Sequence, residues 1–451
     1  MAKANVSRIS IVALAVSASL LCFSANAAAS EKERITELEE RLDMLEVELI
    51  EAKDAASQAD RVEFSKSSPS PEIISKDGRS TLEFKARIQA DVVKADEMYV
   101  TDDRIYQGEF TDTSIRRLRF GIEGYFSNVW EYELEFDFDG ISEVEVKDAK
   151  IDYKGWDDQQ LTIGYQKYSF GQEATNNSAY IAFMERASTD AFAPDRALGL
   201  QWRYKGDDYT VSLGYGMDFN VEEDEGEYTN PQLSIMTARA IYTPISSKGH
   251  LLHIGASAMN IDNNDDLQKM RYRARPSIKP GDRTISTGKF KADGAQHYGA
   301  ELIYQNQNWL VSGEYVTSVT DQIDGETVNL DAYYLQTVYT LTGEAWRYSR
   351  KKGVFKGVRP NNAISAGGYG AWELALRVDQ ADFTDASAGI DGGRKTDYTF
   401  GINWYLENNL RAQFNYVRTN ADYDNPFEDK NGVMQYEQDA NIFQARIQFA
   451  Y

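Results

Sequence analysis

The sequence predicts an all-β protein, a 16-stranded antiparallel transmembrane β-barrel preceded by a short N-terminal periplasmic coiled-coil helix. Three observations predict it. From Thr81 onward, apolar and polar residues alternate with period 2 in runs as long as tilted membrane strands. The connections between runs are mostly long on one side and mostly tight on the other. The last run, Phe443, Ala445, Ile447, Phe449 and Tyr451, alternates to an aromatic C-terminus.

Residues 1–27 read as a cleaved signal peptide. Lys3 and Arg8 form its basic start, Ile9 to Phe23 its uncharged core, and Ala25-Asn26-Ala27 its cleavage site. The apolar run is shorter than the roughly 20 residues that span a membrane. Cys22, the one cysteine, falls inside it, so the mature chain has no thiol for a disulfide or a metal. Losing Lys3 and Arg8 takes the formal charge from −23 to −25. That acidity excludes nucleic acid as an electrostatic partner. The 28 tyrosines, 20 phenylalanines and 7 tryptophans suit interfacial girdles.

Residues 28–60 read as a coiled-coil oligomerisation helix. Ile35, Leu38, Leu42, Leu45, Leu49, Ala52, Ala56 and Ala59 keep a 3,4 heptad spacing. In a parallel, in-register bundle each g residue meets an e residue of opposite sign: Arg34 with Glu39, Arg41 with Glu46, Glu48 with Lys53. Residues 61–80, rich in Ser and Pro, read as a linker.

Residues 81–451 read as the barrel. Strands are expected near 81–92, 115–127, 129–140, 145–154, 159–168, 197–205, 208–217, 233–243, 250–259, 296–305, 308–317, 331–342, 369–379, 397–406, 409–420 and 440–451. Long connections fall at 93–114, 169–196, 218–232, 260–295, 318–330, 380–396 and 421–439. Two connections break the rule: 141–144 is short on the long side, and 343–368 is long on the short side.

Several segments resemble the phosphate-selective porin O/P family. They include Arg116-Arg117-Leu118-Arg119-Phe120-Gly121, the third-loop residues Phe170-Gly171, Glu185-Arg186, Pro194 and Arg196, and the stretch from Leu341-Thr342-Gly343-Glu344 to Trp404-Tyr405. The resemblance covers nearly all of 80–451. It implies a homotrimeric channel in the outer membrane of a Gram-negative bacterium, surrounded by outer-membrane lipid. It also implies a lumen narrowed by inward segments, the turn 343–368 among them.

With the oily parity toward lipid, the other parity places Lys85, Arg87, Arg117, Arg119, Arg203, Arg239, Arg377, Arg411 and Arg446 in the lumen. The third loop adds Arg186 and Arg196. Arg and Lys rings attract anions, and guanidinium groups hold phosphate bidentately. Glu83, Glu123, the Glu131–Asp139 row, Glu301, Glu314 and Glu373 share that parity, so the same arginines can instead brace the wall. Both readings stay open at this level. The expected function is diffusion of small anions, phosphate or pyrophosphate and polyphosphate among them. The alternatives are a general or cation-preferring porin with an acidic lumen, and a tether between outer membrane and periplasm. Catalysis is not expected: His250, His253 and His297 stand outside any recognised catalytic or zinc motif, and no cofactor site is legible.

Overall fold

The computed structural model describes residues 31–57, 60–64, 69–96, 98–100, 105–138, 144–218, 222–224, 227–229, 233–263, 269–279, 283–428 and 431–451. The expected signal peptide lies outside them. Helix α1, Glu31–Ser57, occupies the heptad segment and belongs to a compact unit of its own. Leu38, Leu42, Leu45 and Leu49 of its seam are exposed. The expected linker is partly ordered into sheet. Short strands form at Arg61–Phe64 and Pro71–Ile74, and the second pairs with the start of the barrel through Glu72↔Glu83 and Ile74↔Thr81.

The second unit is the barrel. Its strands are β1 (Thr81–Ala95), β2 (Phe110–Phe126), β3 (Trp130–Asp137), β4 (Glu145–Tyr153), β5 (Gln159–Gln166), β6 (Ala197–Lys205), β7 (Tyr209–Asp218) and β8 (Leu233–Ser247), then β9 (His250–Asn263), β10 (Phe290–Asn306), β11 (Trp309–Gln322), β12 (Val328–Thr340), β13 (Ala371–Asp385), β14 (Ile390–Tyr405), β15 (Leu410–Glu428) and β16 (Met434–Ala450). Each pairs antiparallel with the next. β16 pairs with β1 from Ile442↔Ala95 to Ala450↔Arg87, which closes the ring and leaves no free edge. All sixteen expected strands are present.

The wall is inverted relative to a soluble protein. Ile88, Phe120, Leu213, Leu302, Leu376 and Phe414 are exposed on the outside, while Gln89, Asp91, Arg203, Arg239 and Gln413 are buried on the inside. Aromatic residues ring the short-turn end. Phe126 stacks on Trp130 at 6.0 Å, Trp130 meets Tyr153 at 4.7 Å, and Trp372 stacks on Trp404 at 5.0 Å. Such rings suit the membrane interface, where an apolar body and a polar edge are both satisfied.

Several strands extend beyond their expected ends. Segments 380–396 and 421–439 were expected as loops, yet most of each is strand in β13 to β16. The reason lies in the side-chain parity. Beyond the lipid band Ala381, Phe383, Ile390, Ala421 and Tyr423 point inward and are buried, while the residues between them are polar and outward. The oily face flips when the outer medium becomes water. Their partners are the inward-folded loops: Phe170 and Phe192 of the third loop (167–196) and Tyr272 and Ile285 of the fifth (264–289) join the same apolar cluster. The turn 341–370 also folds inward, burying Trp346, Phe355 and Val358 against Leu251, Ile303 and Leu310.

Candidate functional site

The third loop crosses the lumen because the wall supplies partners for its main chain. Glu314 of β11 accepts the backbone N–H groups of Gln172 and Glu173, both at 3.0 Å. Gly171 precedes them with φ +62°, and a Cβ there would lie 2.3 Å from Glu314 Oε1, so only glycine permits the approach. Ala182 O accepts from Asn403 at 2.7 Å, and Ala179 O from Gln448 at 3.1 Å. A buried loop must satisfy its carbonyls, and these bonds do so.

Four of the ten expected arginines serve this bracing, and others pair within the wall. Arg411 donates to Ile181 O (2.9 Å), Arg377 to Glu185 O (3.1 Å), and Arg186 to Glu173 O (3.0 Å) and Asn176 O (2.8 Å). Arg446 donates to Met184 O at 2.5 Å, with both prongs on Asp91 at 2.7 Å. Arg239 holds Glu301 bidentately and reaches Gly353 O of the inward turn at 3.1 Å. Arg119 pairs with Glu135 (3.0 Å) and Asp137 (2.8 Å), Arg196 with Asp148 (3.1 Å), and Lys85 with Glu133 and Glu123. Arg117 donates to Gln89 at 2.7 Å. The acidic row on β3 is thereby neutralised: Glu131 pairs with Lys154, and Glu133 with Lys85 and Lys150.

A cavity of about 280 Å³ remains on the short-turn side of the third loop. Six of the eleven expected residues line it, Lys85, Arg87, Arg119, Arg186, Arg196 and Arg203; Arg117, Arg239, Arg377, Arg411 and Arg446 do not. Lys150, Lys167 and Lys352 join them, giving nine cationic side chains against six carboxylates. Among the described residues, every one of those carboxylates except Asp152 has a cation within salt-bridge distance. Four of the cations have no carboxylate at that distance among the described residues. Arg87 donates only to Ser178 Oγ (3.0 Å), and its buried Nε has no partner. Arg203 has only Ser212 Oγ (3.3 Å) and Ser169 Oγ (3.4 Å). Lys167 opens the third loop and Lys352 sits in the inward turn. Burial, then Arg186 nearby, pushes the Lys167 amine down to about 7. Burial, then Lys150 and Arg203, pushes Lys352 down to about 8.

A second cavity, of about 350 Å³, lies against the fifth loop. Arg116, Arg186, Arg271, Arg273, Arg275 and Arg283 line it with only Glu185 and Asp190 as carboxylates. Arg186 borders both cavities. The sequence reading missed Arg116 because strict alternation sends it to lipid. The register shifts by one between Gln89 and Ala90, and the resulting bulge turns Arg116 and Arg117 both inward. The fifth-loop arginines were hidden because 260–295 was expected as external loop, whereas Tyr272, Ile278 and Ile285 are buried. The alternating Arg271-Tyr272-Arg273-Ala274-Arg275 was the available signal. The inward turn carries another basic run, Arg347, Arg350, Lys351, Lys352, Lys356 and Arg359.

A closed barrel with an oily outer wall, a charged inner wall and inward constricting loops defines an outer-membrane porin. The chain belongs to the family described as phosphate-selective porin O and P, which it matches over residues 82–451. It is 22% identical over 417 residues to Porin O of Pseudomonas aeruginosa, covering 84% of this chain and 90% of that one. It is 28% identical over 386 residues to an uncharacterised protein of Caulobacter vibrioides, covering 83% and 75%. Among solved structures it resembles an anion-selective porin from Comamonas acidovorans (TM-score 0.52, 11% identity, 82% and 100% covered) and the outer-membrane channel DcaP of Acinetobacter baumannii (TM-score 0.53, 10% identity, 82% and 97% covered). The protein is thus placed in the outer membrane of a Gram-negative bacterium.

Proposed function

We propose that the pore conducts small anions, with phosphate and its condensed forms as the solutes it favours. The observation that carries this reading is the surplus of cations in the inner cavity, where, among the described residues, Arg87, Lys167, Arg203 and Lys352 lack carboxylate partners while the carboxylates are nearly all spent. Selectivity follows unpaired charge, and these groups supply it on both the wall and the inward segments. The anion selectivity of the Comamonas porin and the phosphate selectivity of the family agree in sign. An anion would pass from the fifth-loop arginines to the inner cavity past Arg186. Several weak sites in series allow it to leave again. Nothing in this path calls for chemistry on the solute. The test is the reversal potential of the reconstituted pore under a salt gradient, with phosphate added to a chloride current. Anion preference with phosphate block is expected; cation preference without block would transfer the case to the acidic-lumen alternative.

The functional unit we propose is a homotrimer, with α1 contributing through its exposed leucine seam and complementary e and g charges. Deleting residues 31–57 is expected to lower the melting temperature of the detergent-extracted oligomer while leaving the barrel folded. An oligomer of unchanged stability would remove α1 from that role.

A further inference from the structure

We infer that Asp379, Lys395 and Asp397 form one anchor shared by the third and fifth loops, and that Lys395 is a positioning residue for a pore it does not line. Asp379 on β13 and Asp397 on β14 are direct cross-strand partners. Two carboxylates in that relation repel. Lys395 resolves the conflict from the same inner face, its Nζ 3.3 Å from Asp379 Oδ2 and 2.7 Å from Asp397 Oδ2. All three side chains are buried.

Each aspartate then holds a different loop. Asp379 accepts the backbone N–H of Ser188 at 2.9 Å and its hydroxyl at 2.8 Å. Ser188 belongs to the third loop. Asp397 accepts the Ser277 hydroxyl of the fifth loop at 2.7 Å. Arg377 closes the circuit, donating to Glu185 O of the third loop at 3.1 Å and to Ser277 Oγ at 3.3 Å. Ser277 has φ +53°, a strained value for a residue with a Cβ, which persists only where its surroundings fix it. Its carbonyl also accepts from Gln444 of β16 at 3.1 Å.

The consequence falls on the arginine-lined cavity between the loops. Arg186 comes from the third loop and Arg271, Arg273, Arg275 and Arg283 from the fifth. Their spacing is set by how the two loops are held relative to each other. Lys395 lines neither cavity, so its structural effect on them runs through the two aspartates, and a charge-balanced variant separates that effect from its own charge. The inference rests on the anion reading only for the sign of the selectivity change.

The test is single-channel recording on reconstituted oligomer carrying Lys395→Met, Lys395→Arg, the charge-balanced pair Lys395→Met with Asp397→Asn, and Ser188→Ala and Ser277→Ala singly and together. Lys395→Met and the charge-balanced pair are expected to raise open-channel closure frequency several-fold and to move the reversal potential toward zero. Lys395→Arg is expected to restore both. With one shared anchor, the double serine variant changes the closure frequency scarcely more than either single variant does. Unchanged fluctuations in the charge-balanced pair, or serine effects that simply multiply, would overturn the inference. A wild-type pore that prefers cations would refute the anion reading and leave the closure measurement standing.

Discussion

Glu185 and Arg116 form a two-pronged pair, Nε to Oε1 at 2.8 Å and Nη2 to Oε2 at 2.9 Å. It joins the third loop to a bulged strand on the barrel wall. Arg446 adds a contact to the same carboxylate at 2.9 Å. Breaking a buried pair by removing one partner costs about 3–5 kcal/mol locally. Glu185→Gln is therefore expected to loosen the third loop and to remove the carboxylate that Arg116 grips, while Arg446 keeps its pair with Asp91. Conductance fluctuations should grow and the reversal potential should move further toward anions. A shift toward cations would contradict the pairing.

The same carboxylate makes this one link between the third loop and β2 resistant to acid. Burial alone would raise its pKa, but Arg116, Arg117 and Arg446 hold it well below the usual carboxylate range. A carboxyl depressed on folding stabilises fully above its unfolded value and loses that contribution only as pH falls through the depressed one. The factor by which Glu185→Gln changes closure frequency is therefore expected to stay constant from neutral pH down to about pH 4.5, the ordinary value for this group. A factor that shrinks above that pH would contradict it.

Arg87 and Arg203 separate anion binding from ion pairing. Neither holds a carboxylate, so Arg87→Gln with Arg203→Gln strands no acid. That double variant should lose much of the phosphate block and shift toward cations, with thermal stability nearly unchanged. Arg119→Gln, by contrast, frees Glu135 and Asp137 and should lower stability as well as selectivity. Equal stability losses in both variants, measured by heat modifiability on gels, would argue that Arg87 and Arg203 are also braces.

The two lowered lysines predict a pH profile. Lys167 and Lys352 are pushed down to about 7 and about 8, so both are charged below neutrality and lose charge as pH rises through those values. Anion preference should decline between roughly pH 6 and pH 9, the flanks of those two titrations. Sulfate, which keeps its charge over that range, is the appropriate blocking ion. Lys167→Met with Lys352→Met should flatten the profile at the low level. A wild-type profile that is already flat would remove both lysines from the path.

The strand count was legible because a membrane wall writes itself as alternation, from Leu82 and Phe84 on β1 to Phe449 on β16. The strand ends were not, because alternation marks the medium on each side. At Phe383 and Tyr423 the apolar side chain points into the barrel, and a reading keyed to oily outward residues sees only loop. The basic inventory of the lumen was also legible, residue by residue. Its division of labour was not. Arg411 holding Ile181 O and Arg87 facing a cavity have the same parity and the same chemistry in one dimension. Only the path of the third loop distinguishes them.

Sidedness is testable on cells. Cysteines at Lys289 or Val433, both exposed on the long-loop end, are expected to react with an impermeant maleimide on intact bacteria. Cysteines at Asp207 or Gln307, exposed in tight turns, should react only after the outer membrane is opened. The opposite pattern would reverse the orientation of the barrel.

Arg446 and Asp91 grip each other across 355 positions of sequence, at the seam where β16 meets β1. The ring cannot close until its last few residues have arrived. A chain interrupted anywhere in translocation presents two open sheet edges and the whole oily wall to water. Folding that depends on so distant a contact is slow and prone to aggregation. An incomplete barrel in the periplasm is therefore expected to need an escort until β16 is delivered to β1. A lesion in the final strand should thus reduce how much porin reaches the membrane long before it alters what a finished pore conducts.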